Sequence, residues 1–292
     1  MKKKFIFVLL IVLLIGGAVI FYISTPDFML KSYVKAYINE DFEKMYSLTK
    51  VYDELTNKNS YVSACKENYE KINDYDIEIR DNYALLSYDD KTIKIKYEKN
   101  PDVFLGINRY YITEGFIEML TDLVLYVPIG SEDVTLNGTS LKEYKVETDS
   151  VIYDKYELPY LYDCNHNLKG KYSEIEYEES LTFNEDEELT YEFKNDPVEI
   201  MVFTLDGCKY CNMLLEYYNI LALDYDDIFD IKKLDYMNSE NVSLMKKYTT
   251  KYDDSTSFPL SIIGDGYIQG YSEDLENEYL FKIFDAYRKN ID

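Results

Sequence analysis

The sequence predicts a multidomain fold: an N-terminal transmembrane helix, an α+β domain, a small β-sandwich and a C-terminal α/β domain whose elements run βαβαββα. Three observations carry this. An uncharged apolar run from Phe5 to Ile23 follows Lys2, Lys3 and Lys4. Helical periodicity opens the next stretch and gives way to short strands near Leu123. A Cys208-Lys209-Tyr210-Cys211 motif falls where a strand-like run turns into a helical one. The segments implied are 1–24 for the lysine cluster and anchor, 25–118 for the α+β domain, 119–194 for the sandwich and 195–292 for the α/β domain.

The run Phe5 to Ile23 is long enough to span a bilayer, and the lysines before it keep that end in the cytoplasm. It ends in Phe21-Tyr22-Ile23, without the small residues of a cleavage site. The expected topology is therefore a single-pass cell-membrane protein with everything after Ser24 outside the cytoplasm. Thr25-Pro26-Asp27 reads as a helix cap leading into Phe28 to Ile38, Asp41 opens a second helix, and a third is expected at about Tyr61 to Ile72. Tyr75 to Arg80, Tyr83 to Ser87 and Thr92 to Tyr97 read as strands.

In the third segment, Leu123 to Val127 and Val134 to Leu136 are strand-like, and Asn137-Gly138 marks a tight hairpin turn. The only histidine, His166, falls in what reads as a polar loop, Asp163-Cys164-Asn165-His166-Asn167. The acidic run Glu174 to Glu188 lacks the spaced Asp, Asn and Gly of a calcium loop and reads as a solvated edge. It leads to a linker near Asn195-Asp196-Pro197.

The chemistry is concentrated in the last segment. Val198 to Thr204 is apolar and β-branched enough for a buried strand, and Asn212 to Leu223 repeats apolar residues at helical spacing. Cys208 then stands at a helix N-terminus, where free amide N–H groups favour a thiolate, and Cys211 lies one turn along, able to resolve a mixed disulfide. Half of a zinc site is the competing reading. Zinc needs four ligands, and Cys65, Cys164 and His166 lie upstream without ligand spacing, so neither a metal nor another cofactor is expected. Further strands and helices follow at about Phe229 to Tyr236, Ser239 to Thr250, Leu260 to Tyr271 and Asp274 to Lys289.

With its CxxC, Phe258-Pro259 entering a strand and the Asp265-Gly266 turn, the last third resembles the thioredoxin superfamily in its short, glutaredoxin-like form. The resemblance implies a cis bond before Pro259 and a substrate chain lying along Phe258 and Pro259, beside Tyr210. Gly207 and Val202 stand where thioredoxins usually carry a tryptophan and a buried acid. Ser32 to Leu48 resembles the opening of nuclear transport factor 2-like domains of bacterial envelope proteins. The run from Tyr126-Val127-Pro128 to Gly170-Lys171-Tyr172 resembles teicoplanin-resistance-associated TcaA-type membrane modules.

A net charge of −24 argues against nucleic-acid partners and against a peripheral basic contact with lipid. The 33 tyrosines fit either an aromatic binding surface or ordinary packing with the hydroxyl at the rim. Two functions are expected from these features. The first is an oxidoreductase exchanging disulfides with cysteine-containing exported proteins through Cys208 and Cys211, with a membrane redox partner as a further candidate. The second is an envelope binding or sensing protein acting through its front domains. Cys65 and Cys164 either staple those domains together or stay free, with Cys164 then the more exposed thiol.

Overall fold

Helix α1 (Pro26–Ile38) begins where its caps dictate: Thr25 Oγ1 accepts the Phe28 N–H at 3.3 Å, and Pro26 fills the first turn, where no donor is needed. Asp41 caps α2 (Phe42–Tyr46) by accepting the Lys44 N–H at 3.1 Å. Asn57 caps α3 (Lys58–Glu67), so this helix starts and stops earlier than its apolar periodicity suggested. In the computed structural model, residues 24–104, 107–185, 188–249 and 257–290, with 16, 21 and 22, are described.

Four four-stranded sheets follow the helices. The first is an antiparallel meander of β1 (Asp76–Ile79), β2 (Tyr83–Tyr88), β3 (Lys91–Phe104) and β4 (Ile107–Glu114). Two sheets then intertwine in sequence. Their strands are β5 (Met119–Pro128), β6 (Ser131–Leu136), β7 (Thr139–Ser140), β8 (Lys145–Val146), β9 (Tyr153–Tyr162), β10 (Asn165–Tyr172), β11 (Ile175–Thr182) and β12 (Glu188–Thr190). Their orders are β11-β10-β6-β7 and β12-β5-β9-β8, with β12 running parallel to β5. Asn137 and Gly138 both have positive φ, 51° and 81°, the backbone of a two-residue hairpin turn between β6 and β7.

The last sheet, ordered β14-β13-β15-β16, is built from β13 (Val198–Thr204), β14 (Phe229–Asp235), β15 (Leu260–Ile263) and β16 (Gly266–Gln269). Interleaved with these strands are α4 (Lys209–Leu221), α5 (Ser239–Thr249) and α6 (Glu276–Lys289). Strand β14 is parallel to β13 and β15 antiparallel to it.

This architecture corrects the expected fold class, and with it the expectation of a membrane anchor. The chain is mostly β-sheet, four sheets with few helices, because strands run almost without interruption from Asp76 to Thr190. Among the described residues no helix is long and apolar enough to cross a membrane. The longest, α6, has 14 residues, about 21 Å at 1.5 Å per residue, and carries charges along its length, whereas a bilayer core is about 30 Å thick. A single-pass anchor and the cell-membrane location that depended on it are therefore not supported. The run Phe5 to Ile23 lies, apart from Gly16, Phe21 and Tyr22, outside the described residues.

Two further expectations change. Cys164 and His166 do not face solvent: alternation along β10 turns Asn165 and Asn167 outward and buries His166 and Leu168, and Cys164, in the tight turn between β9 and β10, is buried as well. The acidic run is, as expected, a solvated edge: much of it is β11, the outer strand of its sheet, with Glu176 and Glu178 outward while Tyr177 and Leu181 face inward. Asn195 is tied down rather than part of a free linker. Its backbone N–H donates to the Tyr287 hydroxyl at 3.0 Å and its amide to the Tyr287 carbonyl at 2.7 Å.

One hydrophobic cluster runs from Leu125, Leu136 and Leu158 in the central sheets through Phe193 to Ile200, Tyr218 and Phe284 in the last sheet and its helices. At this seam Arg288 of α6 is completely buried and its guanidinium grips Glu192, with Nε 2.9 Å from Oε1 and Nη2 2.5 Å from Oε2. It also lies over the rings of Tyr153, Tyr172 and Phe284 at 5.2–5.5 Å. A separate cluster fills the space between α1, α3 and the first sheet, and it takes in Tyr162 and Cys164 from the neighbouring sheet.

Candidate functional site

Strand β13 ends at Thr204, paired with Asp235 at the end of β14, while Leu260 at the start of β15 pairs with Phe203. Parallel and antiparallel pairing together bring the segments after Thr204, after Asp235 and before Leu260 to one end of the sheet. There the chain turns tightly, with the Cys208 N–H on the Leu205 carbonyl at 3.2 Å and Gly207 at φ +72° in open space. Cys208 is then the N-cap of α4. Its Sγ accepts the Cys211 N–H at 3.1 Å.

Cys208 and Cys211 are joined as a disulfide, with Cα atoms 5.3 Å apart. Cys208 is half-buried, Cys211 is 1% exposed and Tyr210 between them is 55% exposed. A nucleophile arriving from solvent therefore meets the Cys208 sulfur first, and the leaving Cys211 sulfur stays beneath it. In the reduced form the same amide N–H and the helix N-terminus favour a thiolate at Cys208. The Phe258–Pro259 peptide bond is cis. Phe258 is half-buried against Tyr236, with ring centroids 4.6 Å apart.

The positions expected to hold substrate, Phe258, Pro259 and Tyr210, thus belong to segments that leave the same sheet end as the cysteines. The sequence reading missed what fastens that end together. Tyr218, seven residues after Cys211 on the same face of α4, donates to or accepts from Ser261 Oγ at 3.0 Å, both groups being fully buried. The bond links the helix of the dithiol to the strand that follows Pro259. Periodicity marks Tyr218 as a core position, but nothing local points to Ser261 as its partner. Met237, 75% exposed just after β14, also went unremarked.

Comparison of the chain with family models, with curated proteins and with solved structures gave no match. The site is accordingly argued from its own geometry.

The other two cysteines are free and buried. Burial pushes both the Cys65 and the Cys164 thiol up to about 12. Cys164 Sγ lies 3.7 Å from His166 Nε2, but that nitrogen is 2.9 Å from the Tyr162 carbonyl, to which it must donate. His166 Nδ1 is 2.8 Å from the Asn137 amide nitrogen, whose oxygen accepts the Asn167 N–H, so Nδ1 is the acceptor and the ring is neutral. Burial also holds the imidazole pKa below its ordinary value. His166 is therefore a structural crosslink and not a base for Cys164. Among the described residues no three His, Cys, Asp or Glu side chains are grouped to hold a metal ion.

Proposed function

We propose that this protein is a thiol–disulfide oxidoreductase that works through Cys208 and Cys211, in the manner of glutaredoxin-like members of the thioredoxin superfamily. One observation carries the reading: a disulfide-forming pair three residues apart opens a 13-residue helix, with half-buried Cys208 as its N-cap accepting an amide N–H and Cys211 buried in the first turn. A substrate thiolate attacks Cys208 Sγ, the Cys208–Cys211 bond breaks, and Cys211 leaves as a thiolate and takes up a proton. Attack by a second substrate thiolate on the mixed disulfide yields a substrate disulfide and the reduced pair, two electrons having passed to the protein. Run backwards, the same steps reduce a substrate disulfide. The substrates proposed are cysteine-containing polypeptides lying along Phe258 and Pro259.

In the deciding experiment the reduced protein is supplied with a disulfide-bearing protein such as insulin. Cys211→Ser should accumulate a thiol-sensitive adduct at Cys208, because the resolving sulfur is gone, and Cys208→Ser should accumulate almost none. The reading fails if wild type neither reduces insulin nor forms adducts, or if both variants trap alike.

A further inference from the structure

The three segments that converge at the dithiol carry side chains that disulfide exchange itself does not use. Resting on the redox reading of that pair, we propose that Cys208 selects cysteines set in apolar, cationic polypeptide segments and discriminates against anionic thiols such as glutathione. Tyr210 and Met237 supply the apolar contacts, and Asp206, Asp235 and Glu240 the charge selection. Asp206 and Tyr210 follow the end of β13, Asp235 ends β14, and Met237 and Glu240 come just after it, so all five stand at the sheet end that carries Cys208.

The turn that presents Met237 is fixed. The Asp235 carboxylate accepts the Met237 N–H at 2.9 Å, the Asn238 side chain accepts the Glu240 N–H at 2.9 Å, and the Asn241 amide donates to the Asp235 carbonyl at 2.8 Å. On its other side the Tyr236 N–H donates to the Thr204 carbonyl at 2.9 Å, and the Tyr236 ring packs on Phe258. The methionine side chain is thus held out in water at a cost in hydration. One exposed apolar side chain is ordinary on a protein surface. Here Met237 and Tyr210 are both more than half exposed, and with half-buried Phe258 they come from the three segments that meet at one reactive sulfur. The unbranched, polarisable methionine chain adapts its shape, which suits contact with varied apolar residues beside a substrate cysteine.

Charge supplies the second selection. In segments 204–210, 235–240 and 257–259 the exposed charged side chains are Asp206, Asp235 and Glu240 against one cation, Lys209. In a chain of net charge −24 the potential at this sheet end is negative, so a thiol carrying carboxylates is repelled and a lysine-bearing segment is drawn in. Glutathione is a net anion and has no large apolar side chain beside its cysteine. It fails both selections.

The test supplies the reduced full chain with disulfide-linked dimers of short peptides whose cysteine is flanked by leucine and lysine, leucine and glutamate, or serine and lysine, and with oxidised glutathione. Each rate is divided by that with dithiothreitol, an uncharged dithiol, which removes differences in intrinsic reactivity. The leucine–lysine peptide should react about tenfold faster than the leucine–glutamate peptide and than glutathione at about 10 mM salt, the gap closing to about twofold at about 0.5 M. Asp206→Lys/Glu240→Lys should abolish that gap, while Glu174→Lys/Glu176→Lys, the same charge change on the distant turn between β10 and β11, should keep it. Leucine should be preferred to serine about tenfold, and Met237→Ser should cut this preference about fivefold. The proposal is overturned if lysine and glutamate peptides react alike at low salt, if the distant pair erases the gap as fully as the near one, or if Met237→Ser leaves the leucine preference intact. If no peptide disulfide is reduced at all, the redox reading itself fails and this proposal with it; reduction of every peptide at one rate overturns the selection alone.

Discussion

Arg288→Met is the sharpest test of how the last sheet is held. The wild-type guanidinium is 0% exposed and Glu192 only 16%, so the substitution leaves a carboxylate in a largely buried site with the Phe193 N–H, at 2.9 Å, and the Tyr153 hydroxyl as donors but no counter-charge. Removing one partner of a buried pair typically costs 3–5 kcal/mol. The lower end is expected here, about 3 kcal/mol, because Arg288 Nη1 is itself buried without a partner and its loss removes that penalty. Urea unfolding followed by circular dichroism measures it, with the slope checked for two-state behaviour. Arg288→Met/Glu192→Leu should recover most of the loss, since an apolar pair no longer strands a charge. A single variant within about 0.5 kcal/mol of wild type, or a double variant no more stable than the single, would refute the reasoning.

The remaining predictions concern the buried cysteines and the histidine. At pH 8 the oxidised native protein should show no thiol reactive to a disulfide reagent and the unfolded protein two, because Cys65 and Cys164 are buried and their thiols pushed up to about 12. Rapid labelling of either in folded protein would contradict the packing described. For His166 the folded imidazole titrates below its unfolded value of about 6.5, so the unfolded chain takes up the proton more readily. Stability from this residue is therefore complete above about pH 6.5 and is lost as pH falls from there through the depressed folded value. Comparing urea midpoints at about pH 7.5 and 5.5 should show a fall in wild type that His166→Gln reduces; equal falls in both would assign the effect elsewhere.

Local chemistry was legible in the sequence. Thr25 and Asp41 cap helices because a side-chain oxygen reaches an amide three residues on, and Asn137-Gly138 turns because its neighbours tolerate positive φ. Cys208 and Cys211 stand three apart, so their spacing and the strand and helix around them sufficed to place a disulfide-forming pair at a helix start. Tertiary pairing settled the rest. Whether Cys164 and His166 face water or core depends on which side of β10 the neighbouring sheet covers, and whether Glu176 sits on an edge or in a loop depends on its partner strand, β10. The fusion of central and last sheets into one core, the Arg288 and Glu192 pair, Ser261 beneath Tyr218 and the packing of Tyr33 and Tyr61 with Tyr162 all join residues far apart in sequence. No window of sequence contains both partners of such contacts, and their energies depend on mutual burial that exists only once the strands have paired.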